Sequence, residues 1–148
     1  MHTYEFMNYG TCLGDLVPNG SVLDVDTGAE INLGNIVAIV LKSDGAFHGF
    51  SHALGGQDLL GVTKIFLGCD ESSTGETVYL VGQLNPPTIS PIPEGAIAAM
   101  HLVTGGQVPE GMTGQMNQYD ELAMSLLGPF FRGKGPYPSI NPQWQPPE

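Results

Sequence analysis

Basic side chains are scarce in this chain. Of 148 residues only four are lysine or arginine (Lys42, Lys64, Arg132 and Lys134), against 15 aspartates and glutamates, and the formal net charge is -11. Affinity for a phosphate backbone rests on clustered Lys and Arg, so this balance excludes a nucleic-acid binder. Cysteine is scarcer still, with Cys12 and Cys69 alone. Two cysteines make no disulfide framework; one bridge between them is open, and reduced thiols in a cytosol are the preferred reading. No apolar run approaches the ~20 residues that a membrane helix needs. The N-terminus also lacks the basic region and apolar stretch of a secretory leader. The expectation is an acidic, soluble, cytoplasmic protein with neither nucleic acid nor membrane as partner.

Turn formers are abundant: 21 glycines and 12 prolines. Short extended segments should therefore outnumber long helices. "SVLDVD" (21–26) has a weak period-two pattern, with Leu23 and Val25 opposite Val22 and Asp24. "NIVAIVL" (35–41) is an unbroken β-branched run, which predicts a strand buried on both faces. "VTKIFLG" (62–68) and "TVYLVGQL" (77–84) read as further strands, joined by the turn composition of "DESSTGE". "AIAAMHLV" (96–103) has alanine-rich helical propensity but is short and bounded by glycine, so a strand is open there too. About six strands with no repeat and no long helix point to a mainly-β barrel or sandwich.

The composition changes near residue 106. Residues 1–106 form the expected β domain, and 107–115 read as a glycine- and proline-rich linker. Residues 116–148 read as a helix and a proline-rich tail. The helix is "MNQYDELAMSLLGPFF" (116–131), with Tyr119, Leu122, Leu126 and Leu127 at helical spacing, Asn117 as N-cap candidate and Gly128-Pro129 as its stop. The tail is expected to be extended, without hydrogen-bonded structure of its own. It can lie over its own domain, dock on a partner or stay loose. Trp144 and Tyr137 are its candidate interaction residues, because aromatic side chains anchor interfaces.

"YGTCLGDLVPNGSVLDVD" (9–26) resembles the nucleophile loop of LexA-like peptidase domains, the self-cleaving half of LexA, UmuD and phage repressors. Gly10, Thr11, Cys12 and Leu13 stand where that family has Gly, any residue, Ser and Met. Gly20-Ser21 stand at its closing Gly-Asp. In order along the chain, "NLGNIVAIVL" (32–41), "GVTKIFLG" (61–68) and "AIAAMHLVTG" (96–105) resemble its later strands, with Lys64 at the position of the catalytic lysine, and "VYLVGQLNPPTISPIP" (78–93) resembles its Asn-Pro segment that leads back to the barrel. The resemblance implies a LexA-like fold, a homodimer or mixed dimer with a regulator, and a bacterial or phage setting. It departs from the family in having Cys12 for serine and Leu13 for methionine. It also has no cleavable Ala-Gly or Cys-Gly pair upstream, and 43–61 is longer than a plain hairpin.

A lysine buried among apolar groups loses its proton more readily, and the neutral amine can activate a neighbouring nucleophile. Alternation puts Val62, Lys64 and Phe66 on one face and Thr63, Ile65 and Leu67 on the other. Lys64 can equally reach a barrel rim and stay solvated. Cys12 can be held as a thiolate by such a lysine, or pack as an inert small hydrophobe. Backbone amides of Cys12 and Leu13 are the oxyanion-hole candidates. The histidines His48, His52 and His101 lack the paired motifs of a zinc site, so no metal and no cofactor are expected. Three functions remain open: a non-cleaving LexA-like protein acting through a protein partner, a Cys12–Lys64 peptidase, and a structural protein assembled through its C-terminal tail.

Overall fold

A computed structural model of the chain describes residues 3–7, 20–42, 59–84, 87–107 and 127–145. The described residues are mainly β. Seven strands, β1 (Thr3–Met7), β2 (Val22–Asp26), β3 (Ile36–Lys42), β4 (Leu59–Glu71), β5 (Thr77–Leu84), β6 (Pro87–Pro93) and β7 (Ile97–Gln107), form one sheet in the order β1-β2-β7-β3-β4-β5-β6. Every neighbouring pair is antiparallel. The last strand in sequence, β7, is inserted between β2 and β3. Where a barrel or sandwich was expected, the described strands make one open sheet with β1 and β6 at its edges.

The strands form where burial demands them. All of Ile36–Leu41 are buried, as a continuous β-branched run requires when both faces of a central strand are covered. On one face Leu23, Val25, Ile36, Ala38, Ile65, Leu67 and Val103 pack together with Leu127. On the other, Ile31, Val37, Ile39, Leu41, Phe66, Val81, Ile92, Ile97 and Met100 form a second cluster. The expected alternation along β4 is present: Ile65 and Leu67 belong to the first cluster, Phe66 and Val62 to the second. The alanine-rich stretch is a strand, because β7 pairs on both sides and its cross-strand contacts outweigh local helical preference.

The β4–β5 hairpin turns as its composition predicts. Ser72 N–H donates to Glu76 O (2.8 Å), Gly75 N–H donates to Ser72 O (2.9 Å), and Gly75 takes φ +85°. A left-handed residue at that position favours glycine, which has no Cβ to clash.

The C-terminal segment differs from expectation. The helix expected over 116–131 lies outside the described residues except at its end. There Gly128–Phe130 makes one 3-10 turn, and Phe131 is already extended. The proline-rich tail is extended as expected, yet it is hydrogen-bonded to the sheet. Arg132 N–H donates to Leu67 O (2.9 Å). Tyr137 and Ile31 exchange two bonds (2.8 Å each), and Ile140 and Met100 exchange two more (3.0 and 3.1 Å). The physical reason lies in the strand ends. β2 leaves the sheet after pairing Asp26 with Leu102, so the groups of β7 beyond that point would be unpaired; Ile140 takes the vacated lane. Residues 127–145 thus act as a strap sewn to the strands they cross.

Candidate functional site

The sequence reading placed its chemistry on Cys12, Leu13 and Lys64. Cys12 and Leu13 lie outside the described residues. Lys64 sits in the middle of β4, opposite Val37 of β3. On the other side β4 pairs with β5, and Lys64 Nζ donates to Gln83 Oε1 at 2.5 Å. Ile65 opposite Gly82 sets this register, so Lys64 and Gln83 are lateral neighbours on one face. The bond directs the Lys64 side chain across the hairpin toward β5.

Beside Lys64, Thr63 points to the opposite face and is 5% exposed. Its hydroxyl finds no hydrogen-bond partner among the described residues. It lies in one row with Ala38 of β3 and His101 of β7.

That row ends in the polar cluster that sequence reasoning missed. His101 is fully buried. Tyr4 Oη lies 2.9 Å from its Nδ1, and its Nε2 lies 2.9 Å from the main-chain carbonyl of Asn141. A carbonyl only accepts, so Nε2 carries the hydrogen; in the neutral ring that burial favours, Nδ1 accepts from the Tyr4 hydroxyl. Burial pulls the His101 pKa below its ordinary value, while the Asn141 carbonyl and the charge of Asp26 pull less strongly upward. Burial also pushes the Tyr4 hydroxyl well above its usual range, so it stays a donor.

Trp144 closes the cluster, edge-on to Tyr4 at 5.5 Å between centroids and tilted against His101 at 6.3 Å. Asn141 secures this end of the strap. Its backbone sits at φ +56°, a left-handed conformation that asparagine tolerates better than most residues. Its carbonyl also accepts from Trp144 N–H (3.1 Å), and its side-chain amide donates to Ala98 O (3.1 Å). No local pattern could reveal this cluster, since Tyr4 and His101 are 97 residues apart.

Tyr137, the other aromatic proposed for an interface, packs edge-on against Phe66 at 5.1 Å. Its hydroxyl pKa is raised by burial and by a hydrogen bond with Cys69, which is half-buried and free. Both tail aromatics therefore contact the chain's own sheet. Among the described residues no group of three His, Cys, Asp or Glu side chains is placed to hold a metal ion. No helix among them is long and apolar enough to cross a membrane.

Comparison with protein families, curated proteins and solved structures finds no match for the chain.

Proposed function

We propose that the chain is a stand-alone LexA-like domain protein that does not cleave. It works in the cytoplasm of a bacterial or phage system by contact with a protein partner, either a second copy or a related regulator. The observation that carries the non-cleaving part is the Lys64–Gln83 pair. A lysine that activates a thiol must direct its amine at the sulfur, and Lys64 Nζ is directed instead at an amide oxygen of the adjacent strand. In this arrangement Lys64 ties β4 to β5. The acidic balance of the chain suits a protein partner better than a polyanion.

Self-cleavage in this family is favoured by deprotonation of the lysine, so the test is incubation of the purified protein at raised pH with intact-mass detection of fragments. Wild type, Cys12→Ala, Cys12→Ser and Lys64→Ala should all remain intact. Fragments from wild type that disappear in both Cys12→Ala and Lys64→Ala would establish the Cys12–Lys64 peptidase instead. Cleavage by Cys12→Ser alone would mean that the scaffold is competent and the native nucleophile is what has been lost.

A further inference from the structure

His101 is the one fully buried ionisable side chain among the described residues, and it joins three separate parts of the chain. Through Nδ1 it holds Tyr4 of β1, an edge strand of five residues; through Nε2 it holds Asn141 of the strap; and Trp144 covers the ring. Both ring nitrogens have partners, and in the neutral ring that burial favours Nδ1 accepts from Tyr4 while Nε2 donates to Asn141.

We propose that His101 is a proton-operated latch that fastens β1 to the sheet when neutral and releases it when protonated, uncovering the outer edge of β2.

The chemistry follows from the hydrogen-bond roles. Protonation at Nδ1 places an N–H against the Tyr4 hydroxyl, which is itself a donor. Tyr4 must turn its own hydrogen away from its partner, and the new charge must be held without water. The contact with Asn141 survives, because Nε2 remains a donor. The strain therefore falls on Tyr4 and β1. Releasing β1 lets water reach the imidazolium, and it frees the N–H and C=O groups of Val22–Asp26 that had faced β1. Such an edge is a template for pairing with another extended chain. β1 also leads directly into the segment that carries Cys12.

The groups facing His101 can be named element by element. β1 contributes Tyr4, the end of β2 contributes the charge of Asp26, β3 contributes uncharged Ala38, and the strap contributes uncharged Asn141 and Trp144. The direction is set by linkage. The latched imidazole resists protonation and the released one has its ordinary affinity, so the latch holds fully above the ordinary histidine range and weakens as pH falls through it. Glu5 and Asp24 lie directly opposite each other in the β1–β2 pair, so variants at His101 and Tyr4 are needed to assign a pH response to the histidine.

The test is amide hydrogen exchange at pH 7.5 and 5.5, corrected for intrinsic rates, on the full chain. Protection in the 20–27 region should fall several-fold at the lower pH, by at most about tenfold per pH unit for one proton, while the β3 region 36–42 keeps its protection. Emission from Trp144, the only tryptophan, should change over the same pH range. His101→Gln should lose the pH dependence of both signals. Equal wild-type protection of 20–27 at both pH values, or an unchanged pH response in His101→Gln, would overturn the latch. Should His101→Gln fail to fold, Tyr4→Phe decides the matter: it should expose 20–27 already at pH 7.5 with no further change at 5.5, and a wild-type pH response in that variant would equally overturn it.

Discussion

Gly68 shows how far a single residue can decide whether the strap seats. It lies at a bulge in β4, takes φ +115°, and forms a parallel bridge with Arg132. A Cβ built there would fall inside the contact distance of the Arg132 carbonyl oxygen and crowd the rest of that peptide. Gly75 offers an internal control, since it has a similar positive φ of +85° but nothing within 4 Å of a built Cβ. Both alanine variants incur left-handed strain of about 1–2 kcal/mol, but Gly68→Ala must also displace the strap. It should destabilise by roughly 2–4 kcal/mol in chemical denaturation, against about 1 kcal/mol for Gly75→Ala. Equal midpoints for the two variants would show that Arg132 does not rest on β4. Glycine's turn-forming role at 75 was readable from "DESSTGE". The demand at 68 was not, because it comes from a residue 64 positions further along. The same separation in sequence hid the Tyr4–His101 pair, whereas the facing of Lys64 with Val62 and Phe66 could be read directly from alternation.

At the scale of elements, β6 illustrates how a proline-rich segment becomes a strand. "PTISPIP" ends the run 78–93 whose resemblance implies only a segment leading back to the barrel, and its register explains why a strand is allowed. Pro87, Pro91 and Pro93 stand opposite Leu84, Leu80 and Val78. A proline has no N–H to exchange, so these must be the non-hydrogen-bonded pairs, with their nitrogens turned away from β5. Three of the four outward positions of the edge strand β6 therefore lack a donor, which protects it from pairing with another copy. Pro91→Thr restores one outward N–H and introduces a good strand former. It should shift the protein toward larger species in sedimentation velocity as concentration rises, with stability changed by less than about 1 kcal/mol. A distribution that matches wild type at every concentration would show that the prolines do not guard this edge. Strands whose signal is their own hydrophobic pattern, β3 and β5 above all, were legible at nearly their observed bounds. β1 and β6 were not singled out, since each is an edge strand that owes its structure to the neighbour it pairs with.

For the whole molecule the question is whether the C-terminal segment is an appendage or part of the fold. A boundary near residue 106 follows from the shift to glycine and proline, and a tail joined by a linker is the natural reading of that composition. The contacts describe something else. Leu127 is 2% exposed, belongs to the first core cluster, and its methyl groups sit over Gly82, where a Cβ would collide with them. Phe131 packs against the same cluster, while Tyr137 and Ile140 pack against the other. The strap therefore contributes to both faces of the sheet and satisfies backbone groups left open on β7 beyond the end of β2 and at the bulge of β4. Burying a leucine contributes about 1.5–3 kcal/mol, and the three partly buried side chains add to it. Ending the chain after residue 126 should thus remove on the order of 4 kcal/mol or more, a large share of the ~5–15 kcal/mol typical of a domain. Ending it after residue 145 should change little, since every strap contact described above is retained. Urea denaturation of the two truncations against the full chain, with the oligomeric state followed on a sizing column, distinguishes the possibilities. A large loss of midpoint with no change in oligomer size is the result expected of a strap. A truncation at 126 that keeps the wild-type midpoint but changes oligomer size would mean that the segment joins copies of the protein and adds nothing to its own sheet.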